Sequence, residues 1–291
     1  MSESNEVFFR ASSFGNLMTE NQGSVFTEKM AEELDNLYYE LENGVNRNGN
    51  KVKWTPVKAE KIKELDAKRD APPQLSKTAK SEVEKIWRLN KKGFWEDLEN
   101  KYLMKGLFNE IDGIDLVSKA HNSFYNKNDE RKYKNNITGE CDIIDVKDGK
   151  RIVIDVKSSW NPRTFMDGEL SKIYEFQLRC YMYLYDAEEA YLCYCLTDAP
   201  EHLVTNEKKK QWYKFYSDSM TQAEVELMET KLERIYKQIE TNMVYSNNPN
   251  YSQEELVKTF KIKRDLEIEK EMLAKIPLAL EYYNSIKLNQ V

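Results

Sequence analysis

Histidine is nearly missing from this chain. Its 291 residues include only His121 and His202, far apart. That sets aside zinc proteases, zinc deaminases and histidine-based triads, which need imidazoles at fixed spacing. Cysteine is scarce too: four residues, an ordinary number for a reducing compartment. No run approaches the roughly 18 apolar residues of a membrane-crossing helix. The opening residues MSESNEVFFR lack the basic-then-apolar order of a signal peptide. The expectation is a cytoplasmic protein with no membrane partner.

What is present suits a folded domain. Hydrophobic residues make up 40% and aromatics 12%, enough to build a core. The length fits one large domain, or one domain with an appendage. The net charge is −6, from 44 basic and 50 acidic residues. It is unevenly spread: Lys51 to Lys92 holds thirteen Lys and Arg against six Asp and Glu, a local +7, so the remainder sums to −13. Either a solvated helical surface or a nucleic-acid patch accounts for that segment, since local charge sets the field at a groove.

Periodicity and punctuation give the outline. Val7 to Arg10 reads as a short strand, followed at Ser12 or Ser13 by a serine suited to capping a short helix. Helices are predicted over about Met30–Leu41, Ser76–Leu89 and Phe94–Ala120, the last with Asp112-Gly113 as its candidate break. Asn43-Gly44 and Asn48-Gly49 mark turns, and Pro72-Pro73 interrupts the chain between helices. Ile137 to Lys157 reads as two strands around Asp148-Gly149, a preferred two-residue hairpin turn. A helix over Ile173–Asp186 and a strand over Ala190–Leu196 follow. Beyond Glu201 the chain reads as helical, apart from a short strand near Phe260–Ile262. Thr221 with Glu224 and Ser252 with Glu255 match capping boxes, and an Asn-rich stretch at Ser246–Asn250 divides the two helical segments.

The hairpin carries the chemistry. With Asp148-Gly149 as the loop, paired positions sum to 297, which sets Asp142 opposite Asp155. Alternation along the strand brings Lys157 to the same side. Facing residues have Cβ atoms roughly 4.5–5.5 Å apart, and two carboxylates at that distance repel. A cation between them resolves the conflict, and carboxylate oxygens favour magnesium or manganese over zinc. An Asp-x-Lys at a strand end, taken alone, is common and often only pairs with itself. Gln177 and Tyr181, four apart, share a face of the next helix, where a buried amide needs a partner. Gly106 suggests close approach to another element or a ligand, and Glu110 follows it by four residues.

Glu110, Asp142, Asp155-Val156-Lys157 and Gln177 to Tyr181, in that order, resemble the PD-(D/E)XK nuclease superfamily. Within it the chain looks like the phage recombination exonucleases of the lambda-exonuclease or YqaJ type. Phe9-Arg10-Ala11-Ser12-Ser13, Gly106-x-x-x-Glu110, Thr138-Gly139-Glu140-Cys141-Asp142 and Ile154 to Trp160 carry that likeness. It covers about residues 7–20 and 100–200; residues 21–75 and the last ninety match loosely. RecB-like relatives usually have His in place of Glu110. Two features depart from the pattern: Cys141 replaces the proline before the first strand Asp, and Asp155 replaces the commoner Glu.

The resemblance implies an α/β fold with a restriction-endonuclease-like mixed sheet flanked by helices and a helical C-terminal extension. The expected division is 1–205 for the nuclease core, with the basic segment at about 51–92, and 206–291 for the extension. It further implies magnesium, replaceable by manganese, held by Asp142, Asp155, the Val156 carbonyl and Glu110, with Lys157 acting on the attacking water. Gln177 would fix the lysine or the water, supported by Tyr181. Arg10 with Ser12 or Ser13 would hold a terminal 5′-phosphate. The implied activity is 5′-to-3′ digestion of duplex DNA ends, with an annealing protein as partner and a trimeric assembly, in the host cytoplasm if phage-encoded. An iron–sulfur cluster is not expected, because Cys141, Cys180, Cys193 and Cys195 lack cluster spacing. A single-strand or structure-selective nuclease, and a non-catalytic DNA-binding module on the same fold, are the alternative readings.

Overall fold

A computed structural model describes residues 6–20, 26–94, 101–246, 248 and 250–287. The strands are β1 (Phe9–Arg10), β2 (Lys132–Lys134), β3 (Ile137–Gly139), β4 (Ile143–Lys147), β5 (Lys150–Ser158), β6 (Glu189–Cys195) and β7 (Val257–Lys263). The helices are α1 (Phe14–Leu17), α2 (Glu28–Asn43), α3 (Pro56–Arg69), α4 (Lys77–Lys92), α5 (Lys101–Phe108), α6 (Glu110–Ala120), α7 (Pro162–Met166), α8 (Lys172–Tyr185), α9 (Glu201–Phe215), α10 (Gln222–Met243) and α11 (Leu266–Ser285). This is the mixed α/β fold expected of the resemblance.

The strands form two mixed sheets, one ordered β1-β3-β2 and one ordered β4-β5-β6-β7. The β4–β5 hairpin closes on Asp148 and Gly149, with φ of 53° and 77°. Two consecutive positive φ angles make a primed turn, whose twist matches that of the flanking strands. Parallel pairing of β5 with β6 needs a crossover, which contains α7 and α8. Ile152, Val153, Ile154, Leu192 and Cys193 are buried in these two strands. The β-branched run in β5 thus sits at the centre of the larger sheet, as a strand covered on both faces demands.

Several expectations need correction. The chain from Ile137 is not one strand up to the turn: it breaks at Glu140–Asp142, and β3 pairs in parallel with β1 in the other sheet. The N-terminal strand is short, β1, and it runs into the 3-10 turn Ala11–Ser13 ahead of α1. Ser252 and Glu255 do bond reciprocally, but they open a 3-10 turn that feeds β7. Asn247 and Pro249, in the Asn-rich separator, lie outside the described residues, as does the 95–100 part of the expected Phe94–Ala120 helix. The remainder of that helix breaks at Asn109, whose side chain bonds the Asp198 carbonyl, not at Asp112-Gly113.

Glycine explains the difference. A Cβ on Gly113 would lie 2.8 Å from Val156 Cγ1, so this glycine lets α6 press against β5. Gly106 was expected to serve that purpose, yet among the described residues nothing lies within 4 Å of a Cβ there. Gly139 has a similar task, with Ala11 Cβ and Tyr181 Cε1 each 2.8 Å from the missing atom.

Residues 1–15 and 88–273 make one compact unit, and residues 16–87 and 274–291 another. In the second unit Leu34, Ile62 and Leu65 form a small core with Tyr38 and Trp54. The basic segment lies largely in that unit, as α3 and most of α4, and several of its cations are paired: Lys58 with Glu40, Lys61 with Glu64 and Arg69 with Asp66.

These environments separate two glycine substitutions. Gly106→Ala should raise unfolding free energy by up to about 1 kcal/mol through helix propensity. Gly139→Ala should lower it by roughly 1–3 kcal/mol by overpacking. Urea denaturation of both variants checks the opposite signs.

Candidate active site

The β4–β5 ladder pairs Ile143 with Ile154 and Lys147 with Lys150, the register expected from the turn. Asp142 precedes β4 by one residue. Its Oδ2 accepts the Val156 N–H at 2.5 Å, tying it to the strand that carries Asp155. Asp155 is 2% exposed, and its Oδ1 accepts from Gln177 Nε2 at 3.0 Å. The same amide donates to Tyr181 Oη at 2.9 Å. Gln177 therefore braces the aspartate and not the lysine.

Lys157 Nζ lies 2.6 Å from Asp155 Oδ2 and 5.4 Å from the centre of the Tyr174 ring. Oδ2 is buried, and the ammonium is the charge set against it. Burying a carboxylate is tolerable only with such a partner.

Burial, and then the charge of Asp155, push the Asp142 carboxyl up to about 7, against the opposing pull of Lys157 and the Val156 N–H. Burial works against the Lys157 ammonium, but Asp155 and Asp142 outweigh it and hold the group charged above its usual range. Burial also drives the Tyr181 phenol far upward, so its hydroxyl keeps its proton. Two repelling carboxylates with their hard oxygen donors suit a divalent cation such as magnesium, which often binds through one or two carboxylates plus substrate phosphate.

Glu110 stands at the first position of α6 and pairs with Lys127 at 3.1 Å. Its charge still reaches Asp142, where it adds to the upward shift. Among the described residues no three of His, Cys, Asp and Glu converge as a metal cluster. The side chains brought together are thus Asp142, Asp155, Lys157, Gln177 and Tyr181, with Val156 joining through its N–H.

Next to Tyr181 lies a cavity of about 500 Å³, lined by Arg10, Ser12, Arg131, Thr138 and Glu140 among others. Thr138 Oγ1 is buried without a hydrogen-bond partner. Ser13 is not in the lining; its hydroxyl donates to the Arg10 carbonyl at 3.5 Å. Arg131, paired with Glu140 at 3.2 Å, escaped the sequence reading because it belongs to no motif and precedes a three-residue strand.

Lys105 was also missed. It is fully buried in α5, and its Nζ donates to the carbonyls of Ser159 at 2.7 Å and Trp160 at 3.3 Å. Burial lowers its pKa to about 8, opposed by Asp198. The ammonium thus clamps the chain just past β5. Its signal was a lone lysine within the apolar run Tyr102-Leu103-Met104-Lys105-Gly106-Leu107-Phe108. The four cysteines are buried, and burial raises each thiol, that of Cys193 to about 12.

A family profile for the PD-(D/E)XK nuclease superfamily matches residues 52–253. Among solved structures, a phage-related exonuclease from Haemophilus somnus 129PT aligns with a TM-score of 0.61 at 21% identity, over 96% of this chain and 94% of its own. An alkaline exonuclease from Laribacter hongkongensis aligns with a TM-score of 0.44 at 10% identity, over 72% of this chain and 81% of its own. No curated protein matches in sequence.

The carboxylate pair makes a direct electrostatic prediction. Asp155→Asn removes a like charge and should lower the Asp142 pKa from about 7 toward the ordinary carboxylate range. Carbon-13 NMR titration of labelled aspartates in metal-free protein measures it.

Proposed function

The chain belongs to the PD-(D/E)XK nuclease superfamily, and from that premise we propose that it is a divalent-metal-dependent deoxyribonuclease that digests duplex DNA from its ends, 5′ to 3′. The observation that carries this reading is the half-buried Asp142 beside the buried Asp155, whose Oδ2 pairs with the Lys157 ammonium at 2.6 Å. Resemblance to the phage recombination exonucleases, and the fold shared with the Haemophilus somnus exonuclease, support the narrower assignment.

Asp142 and Asp155 would hold magnesium or manganese, with the Val156 carbonyl and, through water, Glu110 as further donors. Such an ion acidifies a water and neutralises charge on the phosphate. Lys157, held charged by its aspartates, is a donor and not a base at neutral pH. It orients the attacking water and meets the negative charge that grows on the phosphate oxygens. Gln177 keeps Asp155 aimed by bonding its other oxygen, and Tyr181 keeps Gln177 in place. Water oxygen bonds to phosphorus as the bond to the 3′-oxygen breaks. The water's proton goes to solvent, and the departing oxygen takes one up. The new end of the strand then carries a 5′-phosphate.

That product matches the neighbouring cavity. Arg10, Ser12 and the unpartnered Thr138 hydroxyl offer a cation and two hydroxyls to a terminal phosphate. Each turnover regenerates the group that the cavity binds, which suits repeated digestion from one end. An annealing protein as recipient of the remaining strand, and a trimeric assembly, belong to this reading by resemblance.

Three measurements test the proposal. Lys157→Ala should lower turnover on linear duplex by roughly 10²–10³-fold or more, while calorimetry shows manganese binding retained; undiminished turnover sinks the assigned chemistry. End-labelled duplex with a 5′-phosphate should be degraded faster than duplex with a 5′-hydroxyl, and Arg10→Ala should erase that difference. Metal binding requires Asp142 deprotonated, so below about pH 7 the apparent magnesium affinity should fall, by up to about tenfold per pH unit.

A further inference from the structure

The second half of α9 departs from its first. Leu203 and Val204 are buried and pack with Ala199 and Met243. From Lys208 the helix runs Lys208-Lys209-Lys210-Gln211-Trp212-Tyr213-Lys214-Phe215, and its aromatics emerge: Tyr213 is 71% exposed and Phe215 48%. At 3.6 residues per turn these side chains sort into two arcs. Lys208 turns toward α10, where it pairs with Glu240 and lies 5.7 Å from the Tyr236 ring centre. Trp212 stacks on Tyr216 at 4.1 Å between centroids, their planes 17° apart.

The solvent arc carries Lys209, Lys210, Tyr213 and Lys214. Tyr213 rests edge-on against Trp212 at 5.2 Å, which braces its ring without covering it. Lys210 pairs with Glu207 at 3.0 Å, and Lys214 reaches the Gln211 side-chain oxygen at 3.5 Å. Among the described residues Lys209 has no ion-pair partner. An exposed ring edged by three ammonium groups, on a chain of net charge −6, is matched by a polyanion with flat apolar faces. Bases stack on such rings and lysines neutralise phosphates. An apolar protein partner would bury the ring at the cost of desolvating the lysines.

We propose that this arc of α9 binds single-stranded DNA by stacking on Tyr213 and by phosphate contacts to Lys209, Lys210 and Lys214. The source of the strand, duplex digestion, rests on the exonuclease reading; the stacking chemistry does not.

The test uses the full chain in EDTA with a fluorescein-labelled oligothymidylate, followed by anisotropy. Tyr213→Ala should weaken binding about 5- to 100-fold, while Tyr213→Trp keeps it. Lys209→Gln and Lys214→Gln should each reduce the slope of log affinity against log salt by about 0.7. Turnover on short duplex should be unchanged in all four variants. Unaltered strand affinity in Tyr213→Ala overturns the proposal, as does a variant that shifts only the sedimentation of the protein alone, which would mark a contact between copies. A chain that binds the strand through Tyr213 yet does not cleave with magnesium upholds this site and removes the exonuclease reading. A chain that cleaves but binds strands independently of Tyr213 does the reverse.

Discussion

Repulsion between Asp142 and Asp155 is the constraint around which the larger sheet is organised. Two carboxylates withdrawn from water on neighbouring stretches of chain destabilise any fold that leaves them uncompensated. Here three partners answer for them. The Val156 N–H takes one oxygen of Asp142, Gln177 takes one oxygen of Asp155, and Lys157 supplies a positive charge beside the other. The compensation is incomplete, because burial and the charge of Asp155 still raise the Asp142 carboxyl against these partners. A cation between the two aspartates would relieve that repulsion.

Holding the aspartates in place takes more of the protein than the hairpin. Gly113 lets α6 lie against Val156, so the residue between Asp155 and Lys157 is packed from one side. From the other direction α8 supplies Gln177 and Tyr181, and Tyr181 also touches the position where Gly139 lacks a Cβ. The cavity beside Tyr181 and the carboxylate pair are consequently linked through one tyrosine, which lines the first and bonds the amide that braces the second. Movement of α8 would be felt at both.

The hairpin was legible in the sequence because its rules are local. Asp148-Gly149 names the turn and the turn sets the register of β4 on β5, but the ladder ends at Ile143 and Ile154, so Asp142 stands one residue beyond it and is tied to β5 by the Val156 N–H. Gln177 was legible as a buried amide in need of a partner, but its partner was not: whether an amide bonds the aspartate or the lysine depends on how α8 sits over β5. The same limit applies to glycine. Gly106 and Gly113 look alike in sequence, and only tertiary packing shows which faces a neighbour. β3 passed for part of a longer strand because its pairing with β1 joins residues over a hundred apart. Lys105 and Arg131 carry no motif, and each takes its meaning from a carbonyl or carboxylate distant in the chain.

Lys105 has a thermodynamic consequence of its own. The free side chain titrates near 10.5, and in the fold it does so near 8. Between those values the unfolded chain holds more protons than the folded one, so forming the structure expels a proton and mildly alkaline solution favours it. The gap corresponds to about 3 kcal/mol. This clamp is therefore strained at neutrality and eases as hydroxide rises, opposite to the behaviour of an ordinary surface ion pair.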